Sequence, residues 1–158
     1  MSWWILPTTA DIGIRAFSSS ASEVIKEMTL GLQTIQLSND ENPNFESLVR
    51  HTGHWSIPLV KSDVERGMVR WLEEVLYQGM TEDQWLVDAT FKISNESIEA
   101  QVSWVDSNFI TREIEIKAVT MHELILREVE EGEIIQGVDA DIPTFEGPGW
   151  IAQVVLDI

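Results

Sequence analysis

Cysteine is missing from all 158 residues, which removes disulfide frameworks, thiolate zinc sites and cysteine nucleophiles together. Positive charge is scarce: 10 Lys and Arg stand against 27 Asp and Glu, a formal net charge of -17. Such a field repels phosphate backbones and anionic membranes, so direct, unaided RNA binding is disfavoured, while divalent cations and basic protein surfaces are attracted. Long apolar runs are also lacking. No uncharged stretch approaches the ~20 residues of a membrane-crossing helix. The opening Met1-Ser2-Trp3-Trp4-Ile5-Leu6 carries no base and is cut by Pro7, unlike a secretory leader. A cytoplasmic protein without membrane contact is therefore expected. There is no Walker-type phosphate loop, no Gly-x-Ser-x-Gly elbow and no His-Glu-x-x-His, so a self-sufficient catalytic apparatus is not visible. The expectation is a protein that assists rather than catalyses.

What is present reads as one domain over residues 1–158, long enough to bury roughly two-thirds of the surface of its unfolded chain. Around Asp11, the residues Ala10, Ile12, Ile14 and Ala16 alternate with Asp11 and Arg15, the period of a strand from which the acid projects. Ser20-Ala21-Ser22-Glu23 is a capping box. Behind it Val24, Ile25, Met28, Leu32 and Ile35 form one apolar helical stripe. Ser62-Asp63-Val64-Glu65 opens a second helix with Val64, Met68, Trp71, Leu72, Val75 and Leu76 on one face, ending near Gly79. Gly67 inside it costs about 1 kcal/mol of helix propensity, which close packing would explain.

From Trp85 the period is two, through Ile93 and, after Ser94-Asn95-Glu96, from Ile98 to Trp104: a hairpin. Ile114, Ile116 and Ala118 alternate with Glu113, Glu115 and Lys117, and His122, Leu124 and Leu126 continue the strand pattern. Residues 128–149 combine seven acids with glycines and prolines and read as a mobile acidic excursion. In the last strand Trp150, Ala152, Val154 and Leu156 face one way and Ile151, Gln153, Val155 and Asp157 the other, so both faces are covered. The fold class is α+β, a mostly antiparallel β-sheet packed with two main α-helices. His51-Thr52-Gly53-His54 has a spacing open to a transition metal, but without further ligands it reads as a surface loop. From the residues alone, Lys117 is an exposed ion-pair partner and His122 a half-buried histidine bonded to backbone.

Three segments, Pro7-Thr8-Thr9-Ala10-Asp11-Ile12-Gly13, Lys117-Ala118-Val119-Thr120-Met121-His122-Glu123-Leu124 and Val154-Val155-Leu156-Asp157-Ile158, resemble in this order the motifs of the archease family. Trp71-Leu72-Glu73-Glu74-Val75-Leu76-Tyr77 resembles that family's central helix. Pro7 and Thr8 stand where the family has an acid and a histidine, and Asn108-Phe109-Ile110-Thr111 occupies the place of a further histidine.

The resemblance implies an accessory protein that activates the GTP-dependent RNA-splicing ligase of tRNA maturation, promoting its guanylylation and turnover, and meeting RNA only through that ligase. It also implies a divalent metal site made by Asp11, Asp157 and the carboxylate of Ile158, for which calcium suits an irregular cage of about 6 to 8 oxygens better than magnesium does. Lys117 and His122 would face the ligase. The alternative is a divergent archease-fold interaction or chaperone-like module without ligase activation. A small metal-dependent hydrolase would need a water-activating cluster that the sequence does not offer. A homo-oligomer stays open.

Overall fold

The computed structural model describes residues 2–8 and 11–158, leaving Thr9 and Ala10 of the first motif outside the described residues. The chain runs β1 (Trp3–Leu6), β2 (Ile12–Ser18), α1 (Ala21–Gln36), β3 (His51–Pro58), α2 (Val64–Thr81), β4 (Gln84–Ile93), β5 (Ser97–Asp106), β6 (Ala118–Val129), β7 (Ile134–Ile135), β8 (Phe145–Glu146) and β9 (Gly149–Asp157). The strands form a four-stranded sheet in the order β1-β2-β9-β6, a three-stranded sheet in the order β3-β5-β4, and the small hairpin β7-β8. Every strand pair is antiparallel. The α+β expectation is thereby met.

Both helices start where their capping side chains place them. The Glu23 amide donates to Ser20 Oγ at 3.1 Å and the Arg66 amide to Asp63 Oδ1 at 3.1 Å, each satisfying an amide that has no partner within the helix. The second helix runs on past Gly79 to Thr81. Each helix packs on strands of both sheets. Their apolar stripes meet the inner sheet faces in one core that includes Ile14, Met28, Leu32, Trp71, Leu72, Ala100 and Val154. Trp71 and Leu72 are fully buried there. A Cβ on Gly67 would run into the Leu59 side chain and come within 3.3 Å of Ile98 Cδ1. Close packing against β5 and the preceding loop thus accounts for a glycine in mid-helix.

Three expectations are corrected. Residues 113–117 form no strand: the amides of Glu113 and Ile114 donate to Gln36 O at 2.8 and 3.4 Å, and Arg112 bridges to Leu37. The segment hooks onto the end of α1 while Ile116 still enters the core, so alternation there reflects burial without a ladder. His51-Thr52-Gly53-His54 is not a loop but the start of β3. His51 stacks on Trp104 with ring centroids 4.2 Å apart, while His54 Nε2 lies 3.3 Å from Glu99 Oε2. The two imidazoles therefore serve different partners.

The acidic excursion, finally, is built rather than loose. It carries β7 and β8 and lays Ile142, with Ile135, Val138 and Phe145, against Leu6, Phe17, Val129 and Ile151 on the outer sheet face. Phe17 and Phe145 stack at 4.6 Å. This cover explains why Ile151 of β9 is buried as fully as Ala152, Val154 and Leu156 on the inner face. The acids of the segment stay at its surface, and its apolar minority does the packing.

At the root of the excursion Arg127 grips Glu133 in a fork, Nη1 to Oε1 at 3.1 Å and Nη2 to Oε2 at 2.8 Å, and the Glu130 amide donates to Glu133 Oε1 at 3.1 Å. The hydrogen bond from Arg127, then that from Glu130, holds the Glu133 carboxyl below the usual glutamate range. A depressed carboxylate pKa stabilises the folded state above the unfolded pKa, and that contribution is lost as pH falls through the folded one. We expect a carboxyl-carbon NMR titration to show Glu133 protonating below the other exposed glutamates, with the amides of 130–134 shifting at the same midpoint. A midpoint within the range of the other glutamates would contradict the fork.

Candidate functional site

Strand direction brings the singled-out residues to one end of the four-stranded sheet. β9 lies between β2 and β6, antiparallel to both, so its C-terminal end meets the starts of the other two. Ile12 pairs with Leu156, and Ala118 with Asp157. Residues some 145 positions apart in sequence are thus neighbours across a single ladder. Asp11 sits in a bend one residue before β2 and not within the strand that was expected around it. The β2–β9 ladder ends at the Ile12–Leu156 pair, one residue from Asp11 and one from Asp157. The Thr8 hydroxyl donates to the Asp11 carbonyl, and the Lys117 amide donates to the Asp157 carbonyl at 2.8 Å. Asp11, Lys117, Asp157 and Ile158 are all exposed.

The donor chemistry at this end is of the hard-oxygen type that suits calcium or magnesium. Among the described residues no group of three or more His, Asp or Glu side chains is gathered closely enough to hold a metal. Asp11 and Asp157 match such an ion in kind. The remaining oxygens would have to come from main-chain carbonyls and water.

His122 lies elsewhere on β6. Between the pairs Thr120–Val155 and Ile125–Gln153 the register breaks, so that residues 121–124 bulge opposite Val154 alone. Glu123 in this bulge has a left-handed backbone, φ 52°, and the His122 amide donates to Thr120 Oγ1 at 3.2 Å. The His122 side chain is exposed instead of half-buried. Bulges redirect side chains out of the pleat, and Met121 and His122 in this one are exposed, on the strand that begins at Ala118, just after Lys117.

The sequence reading passed over a polar network on the outer sheet face. Arg15 pairs with Gln153 across β2 and β9, and its Nε and Nη2 donate to Gln153 Oε1 at 2.9 and 2.7 Å. Gln153 is 4% exposed, and its Nε2 donates to the Glu123 carbonyl at 2.9 Å. Burial pushes the Arg15 guanidinium below its ordinary pKa, against the opposing field of Glu123. A glutamine in a strand covered on both faces was the available signal, since a buried amide needs partners for both its oxygen and its nitrogen. These residues border an open cleft of about 460 Å³ between the β1–β2 connection, the bulge and the excursion.

The architecture defines an α+β protein in which β2 and β9 share one sheet, with Asp11 just before the one and Asp157 at the end of the other. Over residues 3–158 the chain matches the archease protein family (MTH1598/TM1083), and it belongs to that family. It is similar in fold to the solution structure of protein 1598 of Methanobacterium thermoautotrophicum, with a TM-score of 0.57 and 17% identity over 99% of each chain. No curated protein matches it in sequence. No described helix is long and apolar enough to cross a membrane.

Proposed function

We propose that this chain is an archease-type accessory protein, acting in the cytoplasm as a single domain, that activates a GTP-dependent RNA-splicing ligase and is not itself an enzyme. What supports the reading is that Asp11 and Lys117 each lie one residue before a strand whose first residue pairs near the end of β9, Ile12 with Leu156 and Ala118 with Asp157, in a chain that belongs to the archease family. Lys117 and His122 would face the ligase, and the net charge of -17 suits docking on a basic, RNA-binding surface. RNA would be met only through that partner.

Asp11, Asp157 and the Ile158 carboxylate are the groups that would hold a calcium ion. Bound there, the cation would supply fixed positive charge for organising anionic groups at the interface. The protein's own part is positional: the β2–β9 ladder ends at the Ile12–Leu156 pair, one residue short of each acid, and the Lys117 amide donates to the backbone carbonyl of Asp157.

Asp11→Ala and Asp157→Ala should each abolish stimulation of ligase turnover while leaving the unfolding midpoint nearly unchanged, because both side chains are exposed. Undiminished stimulation by both variants would refute the reading. Calorimetric calcium titration should show weaker binding in the same variants and in a chain extended by one residue after Ile158; equal affinity in all three would remove calcium from the proposal. A second reading, an interaction module without ligase activation, draws on the loss of the family's acid and histidine at Pro7 and Thr8. It predicts that the wild-type chain binds the ligase but leaves its turnover unchanged.

A further inference from the structure

Arg15 is a partly buried cation in a chain with 27 acids, yet among the described residues no carboxylate lies within ion-pair distance of it. Its partners are amide oxygens: Gln153 Oε1, and Gln136 O at 3.4 Å from Nη1. By count these bonds leave one N–H on each terminal nitrogen uncommitted, and a carboxylate can accept from such a donor. The grip is prepared beforehand. Gln153 is buried and is itself fixed by the Glu123 carbonyl, so the guanidinium is held still before anything arrives.

A purely structural tie between sheet and excursion would need no open space beside it. Here the same guanidinium borders a cleft of about 460 Å³ whose other walls include Leu6, Pro7, Leu124 and Val138. That size lies within the roughly 300–1,000 Å³ range of small-ligand sites, which combine apolar walls with a few fixed polar groups.

We infer that this cleft binds a singly charged carboxylate carried on an apolar body, with the carboxylate on Arg15 and the body against Leu6, Pro7, Leu124 and Val138. Charge decides between oxyanions. Glu123 lines the same cleft and the whole chain is strongly negative, so a multiply charged phosphate is repelled more than a carboxylate. The inference stands apart from the ligase reading, because it uses neither Asp11 nor Asp157 and its readout is binding to the isolated full chain.

The probes are hexanoate and hexanol, which share an apolar body and differ in the anion, followed by amide chemical shifts. Hexanoate should bind saturably, moving the amides of Leu6, Leu124, Ile125 and Val138 and the Arg15 Nε–H. Hexanol should bind at least about ten-fold more weakly, the loss expected for a charge-assisted hydrogen bond. Arg15→Gln should reduce hexanoate to the level of hexanol.

Equal binding of the two probes by the wild-type chain, or shifts scattered away from the cleft, overturns the inference without relying on a variant that folds. N-acetyl-Leu-Leu, with its carboxylate free or amidated, then separates the sources. Tighter binding of the free form than of hexanoate identifies a peptide end, and the reverse order identifies a free acid.

Discussion

Replacing Trp71 by alanine lowers the free energy of unfolding by about 3–5 kcal/mol, the range for deleting a large aromatic from a packed core. Trp71 is fully buried, meets Phe91 edge-on with centroids 5.0 Å apart and Trp55 at 6.1 Å, and joins the helices by donating from Nε1 to Thr29 Oγ1 at 2.9 Å. The residue therefore ties α1, α2 and the three-stranded sheet at one point. Alanine would leave a cavity among three elements that cannot collapse together. Trp71→Phe keeps most of the ring contact and loses the hydrogen bond, so its cost should fall to about 1–3 kcal/mol. Urea unfolding of the three proteins checks both values. A loss below about 1 kcal/mol for the alanine variant would mean that the core does not hinge on this ring.

Gly147→Ala acts at the opposite surface and should uncouple the excursion from the sheet. A Cβ at this position collides with the main-chain carbonyl of Glu130 and comes within 2.9 Å of the Val129 carbonyl. Backbone atoms cannot rotate aside as the end of a side chain can. The Gly147 amide also donates to Glu133 O at 2.9 Å, so the segment cannot shift without losing that bond. Overpacking of this kind costs about 1–3 kcal/mol.

The expected loss is local. The outer cluster around Phe17, Ile142 and Ile151 should open while the core around Trp71 holds. Hydrogen exchange should quicken for the amides of 134–146, with β4 and β5 still protected, and mild proteolysis should cut within 130–148. Uniform acceleration across all strands would show instead that the excursion and the core unfold as one unit.

The helices and the hairpin were legible because local chemistry decides them. Capping residues at Ser20 and Asp63 mark the starts, the apolar stripes mark the buried faces, and the Ser94-Asn95-Glu96 turn closes β4 on β5. The double-sided burial of β9 was legible from its near-continuous apolar run, although what covers its outer face was not. Seven acids hid the apolar residues of the excursion, since composition averages over a segment while packing needs only a few well-placed side chains.

Alternation misled at two places. Residues 113–117 alternate but bond to the end of α1, and residues 121–124 alternate but leave the ladder, with Glu123 at positive φ where no glycine announces it. At the candidate site, Asp11, Asp157 and Lys117 were found through family motifs. Their meeting at one sheet end depends on strand order, which no local pattern encodes. Arg15 and Gln153 were both visible as polar residues in apolar strands, but their partnership required the register.

The pairing of Ile12 with Leu156 also has a consequence for how the chain acquires its shape. β2 and β6 are both made before the strand that fills the gap between them. Until then both flanking strands expose unpaired amides and carbonyls, the condition in which sheet edges recruit foreign strands. Contacts of such long sequence separation also slow folding. Until residues 149–157 are in place, a nascent chain therefore carries two open edges on which a foreign strand can add.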